Sequence, residues 1–148
     1  MIECFKLSKP ITMSLSIVLS SFALIHTSVQ AEVAVVVNAA NTSSFNKANI
    51  KKIFLGKTKN FSNGRAAILL SPDANSPIRK EFNKLVLGKS SNQVNAYWSK
   101  MIFTGKGVPP QEMKSASEII SAVTANQDTI AYIDAASVTD AVKVVAKF

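Results

Sequence analysis

The stretch Ser71-Pro72-Asp73-Ala74-Asn75-Ser76-Pro77-Ile78-Arg79 has residue types and spacing suited to holding an anion. Ser favours the position just before a helix, and Pro fits the first helical position because no N–H is needed there. A helix start presents free backbone N–H groups and the positive end of the peptide dipoles. Arg79, one turn in, would add a guanidinium able to grip an oxyanion with two hydrogen bonds. Ser76 and Arg79 are therefore candidate ligand residues, and Ser71 and Asn75, in the loop that leads from a strand into this helix, join them as candidates. The same residues also make an ordinary helix start, with Ser76 capping its own helix and Arg79 in solvent. Local sequence leaves both readings open.

Other chemistry-bearing residues are weaker candidates. Tyr97, Trp98 and Phe103 could wall a ligand, but Val94 and Met101 at helical spacing make them core residues first. Thr104-Gly105-Lys106-Gly107 is similar to phosphate-cradling loops, but it lacks the rest of a P-loop and no helix follows immediately. Asp73, Asp128 and Asp134 fall in loops or turns, and nothing in the sequence pairs them for acid–base work.

The elements that must position these residues begin after a leader. Lys6 and Lys9 precede an apolar run, Ile11 to Ile25, and Val29 and Ala31 suit the small-residue positions of a signal-peptide cleavage site. Residues 1–31 read as a signal peptide. Their removal leaves 117 of 148 residues, 32–148, as one domain with no membrane anchor. Cleavage also removes the single Cys, Cys4, and the single His, His26. The remaining chain then has no disulfide, no Cys or His metal site, and no Ser-His or Cys-His nucleophile pair. The expectation is a periplasmic or secreted, non-catalytic protein without metal or cofactor.

The whole chain carries a formal net charge of +8, and losing Lys6, Lys9 and Glu3 would leave +7. The lysines are dispersed and not interleaved with aromatics, so a nucleic-acid groove is not expected. A small anionic ligand fits this charge, as does a solvated basic surface.

Val33 to Val37 is a continuous apolar run suited to a strand covered on both faces. Ile50, Ile53 and Phe54 predict a helix ended by Gly56. Ala66 to Leu70 predicts a second buried strand. From Ser76, a helix carries Ile78, Phe82, Leu85 and Val86 on one face, closed by Gly88. Ser90 with Gln93, and Ser115 with Glu118, have the spacing of capping boxes for two more helices. Thr129–Ile133 and the segment from Val142 complete the strands. Strands alternating with helices predict an α/β fold, with a mixed, mostly parallel sheet covered on both faces. Ligands in such sheets sit beyond the carboxyl ends of strands, where Ser71–Ser76 falls.

Four phrases in order, FNKANIKKIFLGKTKNFSNG, SPDANSPIRKEFNKLVLG, YWSKMIFTGKG and ANQDTIAYIDAASV, resemble the phosphate-binding proteins of ABC transporters. The likeness runs from about Phe45 to Val144, and this chain is similar to short, single-domain members. It implies one periplasmic-binding-protein-like lobe, the second of the usual two. It implies phosphate or a similar small oxyanion as ligand, and an ABC transporter permease or another envelope protein as partner. Ser76 falls on the family's ligand-binding Ser, and Asp73 falls near its loop Asp. Pro77 and Ile78 stand where the family has Gly-Thr. Ser71 falls where the family has Arg, a charge that Arg79 would replace. Ala131 stands where Gly is usual before Tyr132. A second function is compatible with the same fold: a ligand-free sensory or interaction module of the cell envelope, using the basic surface or the Phe103–Pro110 loop.

Overall fold

The computed structural model describes residues 31–148. The leader read from the sequence, with Cys4 and His26, lies outside the described residues except for Ala31. The elements run β1 (Val33–Asn38), α1 (Lys47–Phe54), β2 (Ile68–Pro72), α2 (Pro77–Phe82), a π-helical turn (Asn83–Leu87), α3 (Ser91–Phe103), β3 (Gln111–Met113), α4 (Ala116–Ala125), β4 (Thr129–Asp134), a 3₁₀ turn (Ala135–Ser137) and β5 (Val142–Lys147).

The five strands form one sheet in the order β3-β2-β4-β1-β5. β2 pairs in parallel with β3 and β4, and β1 pairs antiparallel with β4 and β5. Four strands therefore point the same way, and β1 alone opposes them. The two ends of the domain meet: Val33 and Phe148 exchange backbone hydrogen bonds at 2.9 Å each way.

Alternation along the strands divides the core between two faces. Val33, Val35, Val37, Ile130 and Tyr132 pack with residues of α1, α2, the π-helical turn and α3. Val36, Leu70, Ala131 and Ile133 pack against Ile119 and Val123 of α4. This two-sided cover explains why β1 is buried at every residue. The sheet is mixed α/β with helices on both faces, as the sequence predicts.

Departures from the sequence reading have local causes. β2 begins at Ile68 and continues through Ser71 and Pro72, because β3 pairs with it from Leu70 to Pro72. The expected helix from Ser76 widens into a π-helical turn at Asn83, which brings Leu87 inward together with Val86. Gly88, at φ +66°, ends that turn in a conformation that costs a residue with a Cβ. Trp98 is buried, and the Tyr97 hydroxyl donates to the Leu55 carbonyl at 2.6 Å, so these aromatics are structural. Phe103 does not join them and is 93% exposed.

Candidate functional site

The carboxyl ends of β2, β3 and β4 lead into the starts of α2 and α4 and into the 3₁₀ turn. There a concavity of about 200 Å³ is lined by Asp73, Ser76, Met113, Lys114, Ser115 and Asp134, among others. Two helix starts thus border one hollow.

The two starts differ in chemistry. At α4, Ser115 Oγ accepts from the Glu118 N–H at 3.2 Å, while the Glu118 carboxylate accepts from the Lys114 N–H at 3.0 Å. This is a capping box displaced by one residue on its return bond, and it engages the Lys114 and Glu118 N–H groups. At α2, the Ser76 side chain makes no capping hydrogen bond, and Pro77 occupies the first turn. The loop before it is instead closed by Asp73, whose carbonyl accepts from the Ser76 N–H at 3.0 Å and whose carboxylate accepts from the Asn75 N–H at 2.9 Å. Ser76, which lines the hollow, therefore keeps its hydroxyl free of a capping bond. The expectation that it caps its own helix is corrected: the Asp73 turn does the local work.

The sequence-derived ligand residues separate in space. Ser76 lines the hollow. Asn75 is exposed in the preceding turn. Ser71 and Arg79 line a different space, a void of about 20 Å³ between Tyr132, Phe82, Asn83 and their neighbours. Arg79 forms an ion pair with Glu112, and its Nη1 also donates to the Pro72 carbonyl at 3.2 Å. Its side chain is 14% exposed.

Ser71 is buried, and its hydroxyl has no hydrogen-bond partner. It lies near enough to the Tyr132 phenol to pull the phenol's pKa down, yet the pair lacks proper hydrogen-bond geometry. Burial dominates there and pushes the Tyr132 phenol well above its ordinary range, against the opposing pull of the Arg79 charge.

Charges at the hollow are mixed. Lys114 supplies a cation, and Asp73 and Asp134 supply carboxylates. Asp134 is occupied in part by its own turn, accepting from the Ala136 N–H at 3.0 Å. Lys114 was missed by sequence reasoning, although the Ser115–Glu118 spacing marks the helix start beside it. Among the described residues, no cluster of three or more His, Cys, Asp or Glu side chains is arranged to hold a metal ion. None of their helices is long and apolar enough to cross a membrane.

No family model and no curated protein matches the chain. Solved structures do. An ABC-type phosphate transport receptor from Vibrio cholerae matches with a TM-score of 0.61 at 21% identity, over 78% of this chain and 46% of that one. A protein from Clostridium perfringens described as a phosphate ABC transporter substrate-binding protein, solved with bound phosphate, matches with a TM-score of 0.61 at 24% identity, over 78% and 45%. A possible phosphate-binding protein from Planctomyces limnophilus matches with a TM-score of 0.58 at 18% identity, over 78% and 42%. The chain thus spans less than half the length of these structures. Its resemblance to phosphate ABC transporter substrate-binding proteins is borne out in the fold: one five-stranded mixed α/β sheet of the periplasmic-binding-protein kind.

Proposed function

We propose that this domain is an exported, non-catalytic binder of a small oxyanion, phosphate first among them, at the hollow between the starts of α2 and α4. The observation that carries the reading is the meeting of two helix starts, an uncommitted Ser76 hydroxyl and Lys114 at the carboxyl ends of parallel strands. The fold of phosphate-binding receptors, one of them holding phosphate, supports the choice of ligand. Residues 1–31 act as the export signal, residues 32–148 as the binding domain, and an ABC transporter permease or another envelope protein as its partner.

A single lobe leaves half of the ligand in water, and Asp73 and Asp134 oppose its charge. Affinity is expected on the order of millimolar to tens of micromolar. Calorimetry with phosphate tests the reading, with chloride at matched ionic strength as control. Saturable heat with phosphate that weakens severalfold in Lys114→Ala is the expected result. Equal heats from phosphate and chloride would reject the site. Intact-mass measurement on protein from its native host should give a chain beginning at Glu32, which tests export independently.

A further inference from the structure

We propose that an apolar groove at the opposite end of the sheet docks an apolar segment of a partner protein that carries carboxylates at its flanks. The groove has a volume of about 830 Å³ and runs beside the start of β2, between the ends of α1 and α3 and the loop before β3. Ile68, Ile102, Val108 and Pro109 line it, with Lys59 and Lys106. The oxyanion hollow sits at the carboxyl ends of β2 and β4, so the two sites are separated by the length of the strands.

Among the described residues, the large hydrophobic side chains that stand exposed are Ile68, Ile102, Phe103 and Val108. Three line this groove, and Phe103 follows Ile102 directly. Single exposed apolar residues are ordinary, but their collection in one place marks a contact surface. The sheet is also incomplete here. Ile68 and Leu69 pair with β4 on one side, whereas β3 begins only opposite Leu70. Further back, the Lys59 carbonyl accepts from the Ala67 N–H at 2.8 Å. The groove lies between these two covered stretches of the β2 edge.

Charge selects the occupant. The ionisable residues lining the groove are both lysines, with no carboxylate among them. A second copy of the chain would bring a net charge of +8 to a like surface, and a two-fold contact through the groove would gather two further lysines, the other copy's Lys59 and Lys106, at the same patch. A partner segment with Asp or Glu on either side of an apolar centre meets both the lining and the rim.

The test uses the full chain and two synthetic peptides with the same leucine-rich centre, one flanked by glutamates and one by lysines. Fluorescence titration should show the glutamate-flanked peptide binding at least roughly tenfold more tightly. Hydrogen exchange should slow at residues 66–69 and 102–108 on binding. Lys59→Glu with Lys106→Glu should reverse the preference, and Ile102→Asp should abolish binding with the melting temperature retained. Phosphate heats should be unchanged by the peptide, so failure here is distinct from failure at the hollow. Equal binding of both peptides, or none, overturns the proposal. So does a dimer in sedimentation that Ile102→Asp dissociates, which would make the occupant a second copy. Protection of 102–108 in a peptide-free monomer would assign the groove to the chain's own apolar run, Ile11 to Ile25, and likewise overturn it.

Discussion

Arg79, in the first turn of α2, is ion-paired with Glu112 of β3, and the same guanidinium nitrogen donates to the Pro72 carbonyl at 3.2 Å. One side chain thus ties a helix start to two neighbouring strands. Glu112 is half exposed, so solvent screens the pair and its worth is modest. Arg79→Ala is expected to lower stability by about 1 kcal/mol, and Glu112→Gln by less, since the bond to Pro72 survives. Urea unfolding midpoints at neutral pH measure both. An unchanged midpoint in Arg79→Ala would mean that the tie contributes nothing.

The serines before α2 and α3 should behave differently. Ser90 Oγ accepts from the Gln93 N–H at 3.3 Å, and the Gln93 side chain returns a bond from the Ser90 N–H at 2.9 Å. Ser76 makes no such bond. Ser90→Ala should cost about 1 kcal/mol, and Ser76→Ala should leave phosphate-free stability nearly unchanged. Thermal melts of the two variants compare them directly. A Ser76→Ala loss equal to that of Ser90→Ala would restore Ser76 as a structural cap.

Much of this fold is legible because its signals are local. Val33–Val37 names a doubly covered strand, and Ser90 with Gln93 announces α3 by spacing alone. β3 is not legible, since Gln111-Glu112-Met113 has no β-branched run and becomes a strand only by pairing with β2. That pairing also turns Ser71 and Pro72 from loop into strand. The candidate site was readable at Ser76, whose helix start the sequence marks. Arg79 was not, because its partner Glu112 lies 33 residues away and takes up its charge.

Charge at the hollow proposed for the oxyanion should tune affinity in both directions. Lys114 and Asp134 both line the hollow, with opposite charges. Asp134→Asn is expected to strengthen phosphate binding roughly two- to fivefold, and Lys114→Ala to weaken it by a similar factor, with both effects shrinking as salt rises. Calorimetry at low and high ionic strength reads this out. No change in either variant, or a weakening by Asp134→Asn and a strengthening by Lys114→Ala, would remove phosphate from the hollow.

Asp128 and Arg65 make an exposed two-bond ion pair, with one bond at 2.9 Å. The Arg65 hydrogen bond holds the Asp128 carboxyl below its ordinary value. A depressed carboxyl contributes stability above its unfolded pKa, about 4, and loses it as pH falls through the folded value. Asp128→Asn should therefore flatten the acid side of the stability profile below about pH 4. Melting temperatures at pH 3 and pH 6 test this. An acid limb as steep in the variant as in the wild type would exclude Asp128 as a contributor.

The Tyr132 phenol offers the alkaline counterpart. Its ring stacks on Phe82 at 3.8 Å between centroids and meets Phe54 edge-on at 5.4 Å. Burial disfavours the phenolate and raises the pKa, while the Arg79 charge opposes that shift without overcoming it. A group whose folded pKa is raised contributes stability that is complete below its unfolded pKa. For a phenol that value is about 10, so stability should fall as pH climbs from about 10 toward the higher folded value. Tyr132→Phe keeps both aromatic contacts and deletes the titrating group. The variant should lie within about 1 kcal/mol of wild type at neutral pH, because the Ser71 hydroxyl beside it makes no hydrogen bond that would be lost. It should also lose less stability between pH 9 and pH 11. Arg79→Ala should push the phenol higher still, which ultraviolet titration of the tyrosinate band would detect. If Tyr132→Phe and wild type fall in parallel through the alkaline range, the phenol ionises as readily folded as unfolded, and the buried aromatic site does not hold it neutral.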